Sequence, residues 1–385
     1  MRRIALVCDW YAPRRGGIEA HLEGLARRLS ERGNEVHVIT STPGPPSDVA
    51  GVTIHRLNVP RLPGFGVALQ PVAARIARLL EREKVDVAHS HVSIVAPVAL
   101  GGALAAHRTG TPGVVTFHSF VPATPLWAAI TGRLLGTSAW SATMTAVSAR
   151  VIREVSSFAP RSRFTILPNA IDTAFWTPLP RTRSSNRVSL VYAGRLNSKK
   201  RPLLLVDVVK ELKRNVPDLD FRLHVIGSGP LESSLRRRFA AENLLDVVEI
   251  TGWLDRTSLR DLYASADVFL STAHRESFGL AALEARAMGV PVVAMRDSAV
   301  SDFVRDGESG LLADDDAGFV AAVRRLASDG ALRAEIQRNV RADPAPFGWD
   351  TTLAMHDSVY AAAIARSGND GVPHLPAAEH VADPD

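Results

Sequence analysis

Residues 271–294, STAHRESFGLAALEARAMGVPVVA, carry the most informative pattern in the chain. A short polar loop with Glu276 leads through a Ser-Phe-Gly turn into a helix that contains Glu284. Gly289 ends this helix, Pro291 prevents it from resuming, and an apolar, β-branched run follows as a buried strand. The stretch therefore predicts a loop, a helix and a strand of an α/β fold.

The same stretch also predicts a ligand. Glu276 and Glu284 stand eight residues apart, one at the mouth of the helix and the other inside its first turns. The start of a helix offers unpaired N–H groups and a partial positive charge, which together bind phosphate well. Two carboxylates beside such an anion site indicate a ligand that carries both phosphates and hydroxyls.

The N-terminal residues have the organisation of a doubly wound sheet. Residues 3–8 are apolar throughout, as expected for a parallel strand covered on both faces. A helical pattern follows, and residues 36–40 form a second strand, which completes one βαβ unit. Gly16 and Gly17 lie where the first strand gives way to the helix, and glycines there let backbone N–H groups approach a phosphate.

Polar or glycine-rich segments follow several later strands. His118 ends one strand, and Arg195 and Lys200 follow the strand that begins at residue 188. Arginine presents a fork of donors to a diphosphate, and lysine presents a compact point charge. A Gly-rich turn at 227–230 and the pair at 252–253 follow two further strands.

The composition predicts a globular protein of two domains. The chain has 385 residues, of which 46% are hydrophobic and 22% are charged. The single Cys8 excludes a disulfide framework and fits a reducing cytoplasm. Asp9 interrupts the N-terminal apolar run after a few residues, so we expect no signal peptide. The longest uncharged stretch, between Arg108 and Arg133, contains three prolines and His118, so we expect no transmembrane helix.

Positive charge is concentrated in the first half of the chain. Residues 1–180 carry 19 Lys and Arg against 11 Asp and Glu. This balance indicates either an anionic partner, such as a membrane surface, a phosphorylated lipid or nucleic acid, or ordinary solvated arginines. The helix predicted at 67–84 has a basic face that includes Arg75, Arg78 and Arg82. It either packs on the sheet as an amphipathic helix or contacts an anionic membrane.

These motifs together resemble a known family. Glu276 to Leu280, followed by Glu284, resembles the E-x7-E motif of the retaining GT-B glycosyltransferases of family 4, which are related to the glycogen synthases. Segments similar to the family's other motifs occur in the family's order at Gly16-Gly17, His118, Arg195 with Lys200, Gly227 to Pro230, and Gly252-Trp253.

The resemblance implies an α/β fold of the GT-B type, in which two doubly wound, Rossmann-like domains face each other across a cleft. We expect an acceptor-side domain at 1–180, completed by a crossover helix at about 349–366. A linker rich in Pro, Ser and Arg follows at 177–187, and a nucleotide-sugar-binding domain is expected at 188–348. Residues 367–385 are predicted to be a disordered tail.

The resemblance also implies a role for each site residue. Arg195 and Lys200 would hold the diphosphate, Glu276 and His118 would contact the sugar, and Glu284 would accept hydrogen bonds from the ribose. The predicted catalytic residues are His118, Arg195, Lys200 and Glu276. The predicted nucleotide-sugar-binding residues are Gly16, Gly17, Gly229, Gly252, Trp253, Ser277, Phe278, Gly279, Leu280 and Glu284.

One position departs from the family pattern. Arg201 follows the lysine where the family usually has glycine, so Lys199 is an alternative to Lys200, and we prefer Lys200. Fixed donors of this kind can stabilise the charge that develops on the leaving phosphate. We therefore expect a reaction without metal or other cofactor. The resemblance implies that the anomeric configuration is retained, by same-face attack within a short-lived ion pair.

The predicted activity is transfer of a hexosyl unit from a UDP- or GDP-sugar, such as GDP-mannose, to a lipid-linked or glycan acceptor. The segments GGIEAH, AHSH and TFHS resemble enzymes that glycosylate phosphatidylinositol with N-acetylglucosamine or mannose. This implies envelope glycolipid or polysaccharide synthesis by a cytoplasmic enzyme, with peripheral contact to the anionic inner face of the membrane.

Three alternatives remain open from the sequence. The acceptor could be a soluble small molecule, and the same fold also serves nucleotide-sugar epimerases and phosphorylases. A nucleic-acid partner is not expected, because the chain lacks a recognisable binding module and basic segments interleaved with aromatics.

Overall fold

The structure is a computed structural model of the chain. It describes residues 1–14, 16–59, 69–93, 96–120, 142–156, 163–180, 187–343 and 345–369. The chain forms two compact units. Among the described residues, the first unit contains 1–116, 142–144 and the residues from His356 onward, and the second contains 117–120 and 145–355.

Strands and helices alternate along most of the described chain. The strands are β1 (Arg3–Cys8), β2 (Glu35–Thr40), β3 (Val52–Arg56), β4 (Val87–Val92), β5 (Gly113–Phe117), β6 (Thr143–Ala146), β7 (Phe164–Ile166), β8 (Val188–Ala193), β9 (Phe221–Ile226), β10 (Val248–Gly252), β11 (Val268–Ser271), β12 (Val292–Met295) and β13 (Gly310–Ala313). The helices are α1 (Gly17–Glu31), α2 (Leu69–Arg82), α3 (Pro97–Thr109), α4 (Ala149–Ser156), α5 (Leu204–Asn215), α6 (Glu232–Ala241), α7 (Arg256–Ser265), α8 (Leu280–Ala287), α9 (Asp316–Ser328), α10 (Gly330–Ala342) and α11 (Trp349–Asn369), with a 3-10 helix at Ala299–Asp302.

The first sheet has the strand order β3-β2-β1-β4-β5-β6-β7. Strand β1 pairs in parallel with β2 and β4, and its apolar run is buried on both faces, as the sequence predicts. Helices α2 and α3 cover the sheet: Val72, Ile76 and Leu80 of α2 pack with Ala5 and Val7 of β1 in one core cluster. Burying each such aliphatic side chain stabilises the unit by about 1.5–3 kcal/mol.

The second sheet has the order β10-β9-β8-β11-β12-β13, and the observed pairings are parallel. The chain runs outward from β8 to β9 and β10, then returns to place β11 on the other side of β8. The carboxyl ends of β8 and β11 therefore form a topological switch point, where doubly wound sheets bind their ligands. The two doubly wound sheets with alternating helices confirm the predicted α/β, Rossmann-like fold.

The predicted domain boundary near residue 180 stays a prediction. Residues 145–156 and 163–180, which the sequence analysis assigns to the N-terminal domain, group with the second unit. Helix α4 pairs with later residues of this unit: Arg150 with Asp297, and Glu154 with Arg275. Residues 181–186 of the predicted linker lie outside the described residues.

The predicted tail overlaps the end of the last helix, and its disorder stays a prediction. Residues 367–369 belong to α11, which extends to Asn369, and Ser367 Oγ donates a 3.2 Å hydrogen bond to the carbonyl oxygen of Gly110. This contact gives the last turn of the helix a partner beyond its own backbone. The remaining tail residues, 370–385, lie outside the described part of the chain.

Helix α2 is an ordinary packed amphipathic helix. Its apolar residues face the core described above, and Arg75, Arg78 and Arg82 are exposed. The contact with an anionic membrane stays a prediction. Within the described residues, every helix is too short or too polar to cross a bilayer.

Candidate active site

The order of the second sheet brings two distant loops together. Strands β8 and β11 are neighbours, with Val191 paired to Phe269, and they end at Ala193 and Ser271. Because parallel strands end at the same edge of a sheet, the loops that follow them start side by side. Lys200 lies in the first loop and Glu276 in the second, and their side chains meet although 76 residues separate them.

The central contact is an ion pair. Lys200 Nζ donates a hydrogen bond to Glu276 Oε2. Glu276 is 7% exposed, whereas 36% of the Lys200 side chain is accessible. A carboxylate taken out of water needs such a partner, because the loss of hydration is costly. Lys199 is exposed, so among the two lysines it is Lys200 that the fold directs to Glu276.

Hydrogen bonds hold the lysine loop in place. Thr272 Oγ1 donates to the carbonyl oxygen of Lys200 at 2.6 Å, and the Lys200 N–H donates to Asn197 Oδ1 at 3.0 Å. The sequence analysis did not select Thr272 or Asn197. Thr272 directly follows the buried strand β11. Because parallel strands end at the same edge of a sheet, a search for polar residues at strand ends would have found it.

The turn before α8 is also held firmly. Phe278 is 4% exposed and packs against the rings of Phe303 and Phe347. The carbonyl oxygen of Ser277 accepts a 2.8 Å hydrogen bond from Ser148 Oγ, which also caps α4 by accepting from the Val151 N–H. Ser148 Oγ therefore ties the start of α4 to the turn that follows Glu276, and the sequence analysis did not predict this contact.

Gly279 allows α8 to begin where it does. Its φ of +89° lies in the left-handed region, and a Cβ there would lie 2.6 Å from Val300 Cγ2. Leu280 is the first helical residue, so the predicted helix start is confirmed and its N-terminal N–H groups are those of residues 280 onward. The same loop therefore presents Glu276 and a helix N-terminus together.

The Gly-rich turn at 227–230 packs against the Arg195 loop. A Cβ on Gly227 would lie 2.1 Å from the carbonyl oxygen of Gly194, so no other residue fits there. The Leu196 N–H donates to the carbonyl oxygen of Ser228 at 2.9 Å, which ties the two loops beside the partly buried Arg195. Gly229 lies in this turn.

Gly252 and Trp253 lie next to that turn. The Gly227 N–H donates to the carbonyl oxygen of Gly252 at 2.7 Å. Trp253 is 45% exposed, which is unusual for so large an apolar side chain. The predicted contact of this segment with a nucleotide base stays a prediction, and the exposed indole is available for stacking.

Glu284 lies on α8 and is partly buried, and its surroundings shift its titration. Burial raises the pKa of its carboxyl to about 8, and the positive charge of Arg256 opposes this rise. Arg256 stacks over the Phe175 ring at 4.4 Å, and the fully buried Tyr263 also senses the charge of Glu284. A raised pKa favours the protonated carboxyl, which can donate a hydrogen bond as well as accept one.

Gly16 and Gly17 belong to the first unit, where the start of α1 already holds a carboxylate. Glu19 is 6% exposed, its Oε2 lies 2.3 Å from where a Cβ on Gly16 would stand, and its Oε1 pairs with Arg14 Nε at 3.1 Å. The sequence analysis predicted phosphate near these glycines and did not anticipate that Glu19 would lie there. Any anion at this loop meets the charge of Glu19.

His118 directly follows β5 and is 3% exposed, so it ends a buried strand as predicted. The first unit contains a group of buried histidines that the sequence analysis did not select. His89 bonds Tyr360 Oη at 2.9 Å through Nδ1 and Thr116 Oγ1 at 2.6 Å through Nε2, and its ring lies 3.9 Å from that of His91. These contacts serve packing of β4 against α11.

The predicted residues thus fall into two sets. In the second unit, the loops after β8, β9 and β11 bring together Lys200, Glu276, the turn at 227–230 and the start of α8, whereas Gly16 and Gly17 lie in the first unit. In the described part of the chain, no three His, Cys, Asp or Glu side chains are grouped as metal ligands would be.

Comparisons with known proteins agree with this arrangement. Residues 15–175 match the model described as Glycosyltransferase Family 4, and residues 181–343 match the model described as Glycosyl transferases group 1. A D-inositol 3-phosphate glycosyltransferase of Acidothermus cellulolyticus is 30% identical over 94% of this chain and 91% of its own length. Another, from Geodermatophilus obscurus, is 31% identical over 90% and 85%.

A solved structure has the same fold. HepE of Anabaena, crystallised in complex with UDP-glucose, superposes with a TM-score of 0.75 at 16% identity and covers 94% of this chain and 100% of that one. The match in fold extends over both units. The chain therefore belongs to the family 4 glycosyltransferases, has their GT-B fold, and is a glycosyltransferase.

Proposed function

We propose that this enzyme transfers a hexosyl unit from a UDP-sugar to a small phosphorylated polyol of the inositol phosphate class. The observation that carries the proposal is the contact of Lys200 with Glu276 beside the start of α8. It joins a cation for phosphate, an acceptor for sugar hydroxyls and a helix N-terminus at one switch point. The UDP-glucose complex of HepE supports the choice of base.

The acceptor proposed here differs from the one favoured by the sequence alone. The names of the related enzymes specify D-inositol 3-phosphate, which is a small molecule. They support the alternative of a soluble acceptor better than a lipid-linked or glycan acceptor. The basic first half of the chain is compatible with this reading, since a phosphorylated polyol is also an anion.

The reaction follows from the charges at the site. As the bond from the sugar to the diphosphate breaks, negative charge grows on the leaving phosphate. Lys200, Arg195 and the first N–H groups of α8 would stabilise this charge more in the transition state than in the ground state. Glu276, held against Lys200, would accept hydrogen bonds from sugar hydroxyls and orient the anomeric carbon.

The same arrangement leads us to propose a retaining reaction that requires no metal. Attack from the face that the diphosphate leaves keeps the anomeric configuration, and the leaving phosphate itself can take the acceptor's proton. Glu284 would bind the ribose hydroxyls, and its raised pKa lets it act as both donor and acceptor.

The test is a matrix of donors and acceptors with the purified full chain. UDP-glucose, UDP-N-acetylglucosamine and GDP-mannose are each offered inositol phosphate, free inositol, or vesicles that contain phosphatidylinositol, with and without EDTA. We expect transfer from a UDP-sugar to inositol phosphate, an α-linked product by NMR, and no effect of EDTA. Lys200→Ala should lose turnover, whereas the matched control Lys199→Ala should keep it. Transfer only to vesicles, or hydrolysis without transfer, would contradict the proposal.

A further inference from the structure

The residue that departs from the family pattern, Arg201, links three segments around the active-site lysine. Its Nη1 donates to the carbonyl oxygen of Thr272 at 3.4 Å, and its Nη2 pairs with Asp316 Oδ2. Thr272 in turn donates to the carbonyl oxygen of Lys200 at 2.6 Å. Each of the two loops that carry Lys200 and Glu276 therefore donates a hydrogen bond to the other.

Asp316 extends this network toward Glu276. It is the first residue of α9, and its other oxygen lies 3.3 Å from Nε2 of His274, two residues before Glu276. The hydrogen bond from Arg201 holds the pKa of Asp316 below its usual range. One carboxylate thus anchors both loops to a helix that is packed in the core of the second unit.

The backbone of Arg201 is also constrained. Its φ of +50° lies in the left-handed region, which non-glycine residues adopt at a cost of about 1 kcal/mol or more. Glycine would adopt this conformation more easily. An arginine that is kept in this conformation while its guanidinium spans two partners indicates that the side chain has a use at this position.

We propose that Arg201 is a positioning residue that fixes the Lys200 ammonium for the donor diphosphate by fastening its loop to Thr272 and Asp316. This inference rests on the proposed function of Lys200. Arg201 does not contact the substrate in this scheme. Its effect comes through Lys200, because a misplacement of about 1 Å at a charged catalytic group can lower rates by as much as a hundredfold.

The test uses Arg201→Ala, Arg201→Gly and Arg201→Lys. Alanine removes the side chain and keeps the unfavourable φ, whereas glycine removes the side chain and relieves it. Arg324→Ala is the matched control, since Arg324 also links α9 to another element, pairing with Glu211 of α5 at 3.0 Å. Thermal melting of each variant establishes that the fold is intact.

We expect the alanine and glycine variants to lose about tenfold in kcat/KM for the nucleotide sugar. The donor KM should rise, and the acceptor KM should stay the same, which a general loss of folded protein would not produce. Lysine should restore part of the activity, because it can pair with Asp316 but cannot also reach Thr272. Wild-type behaviour of the glycine variant would overturn the proposal, since it would assign the position a purely backbone role.

A second measurement does not depend on turnover. Acetic anhydride labelling, read by mass spectrometry, reports how accessible the Lys200 amine is relative to Lys210, which pairs with Glu242 far along the chain. Labelling of Lys200 should rise severalfold in the alanine and glycine variants, and an unchanged ratio would refute the inference. If the wild-type protein turns over no nucleotide sugar, the proposed function fails while this ratio still decides the role of Arg201.

Discussion

Replacing Glu276 with glutamine should separate the binding of the diphosphate from the transfer of the sugar. In the structure, the Lys200 ammonium is engaged by the Glu276 carboxylate. If Lys200 binds the donor as proposed, a diphosphate would compete with Glu276 for the ammonium or share it. Glutamine has the same shape and no charge. The Glu276→Gln variant should therefore bind UDP more tightly than the wild type and turn over the UDP-sugar more slowly.

The exposure of the two partners sets the size of the effect. Breaking a buried ion pair costs about 3–5 kcal/mol, and an exposed pair contributes about 0–1 kcal/mol. Glu276 is 7% exposed and the Lys200 side chain 36%, so the pair falls between these limits, at about 1–2 kcal/mol. Release of Lys200 should then tighten UDP binding by roughly fivefold to thirtyfold.

Turnover should change in the opposite direction. Glutamine still accepts one hydrogen bond from a sugar hydroxyl, but it cannot match a carboxylate when positive charge develops at the anomeric carbon. Removal of one such electrostatic contact typically costs about a hundredfold or more in kcat.

Isothermal titration with UDP and a coupled assay of UDP release measure the two quantities on the same preparations. Lys200→Ala provides the reference, since it should weaken UDP binding about tenfold as well as slow the reaction. If Glu276→Gln weakens UDP binding as much as Lys200→Ala does, the carboxylate does not compete for the lysine, and the reasoning is wrong.

Two further predictions concern the helix α8. Between about pH 5 and pH 8 the wild type should lose stability as pH rises, because folded Glu284, with a pKa near 8 against an ordinary value of 4.5, keeps a proton that the unfolded chain releases. Urea unfolding at several pH values should show a flatter profile for Glu284→Gln, and identical slopes would contradict the raised pKa. Gly279→Ala should lower the free energy of unfolding by about 1–3 kcal/mol and weaken UDP binding, because the added Cβ would collide with Val300. Gly307→Ala is the control, since Gly307 has a similar φ and open space around it. Equal melting temperatures of the two variants would count against the collision.

The local structure of the central stretch could be predicted from the sequence. The helix α8 and the strand β12 lie where the apolar pattern, Gly289 and Pro291 place them. These features depend on residues that are close together in the chain. Local propensity and hydrophobic periodicity carry that information directly.

The contact of Lys200 with Glu276 could not be predicted in the same way. The family resemblance gives the two residues separate ligands, and their meeting depends on β11 returning to pair with β8. The loop at Gly16 likewise appears open in the sequence, because only the folded chain turns Glu19 back onto it. The position of a carboxylate depends on the tertiary structure. A carboxylate that lies at a predicted anion site occupies some of the donors that an anion would use.

The two glutamates of the central motif make this point most sharply. In the sequence, Glu276 and Glu284 are the same residue type eight positions apart, and both are expected to accept hydrogen bonds from hydroxyls. In the fold, Glu276 meets an ammonium, whereas Glu284 has only the opposing charge of Arg256, and burial raises its pKa to about 8. The neighbours of each carboxyl, contributed by strands and helices far away in the chain, therefore give the two glutamates of one motif different properties: one is a carboxylate held by an ammonium, and the other is a carboxyl whose pKa is raised.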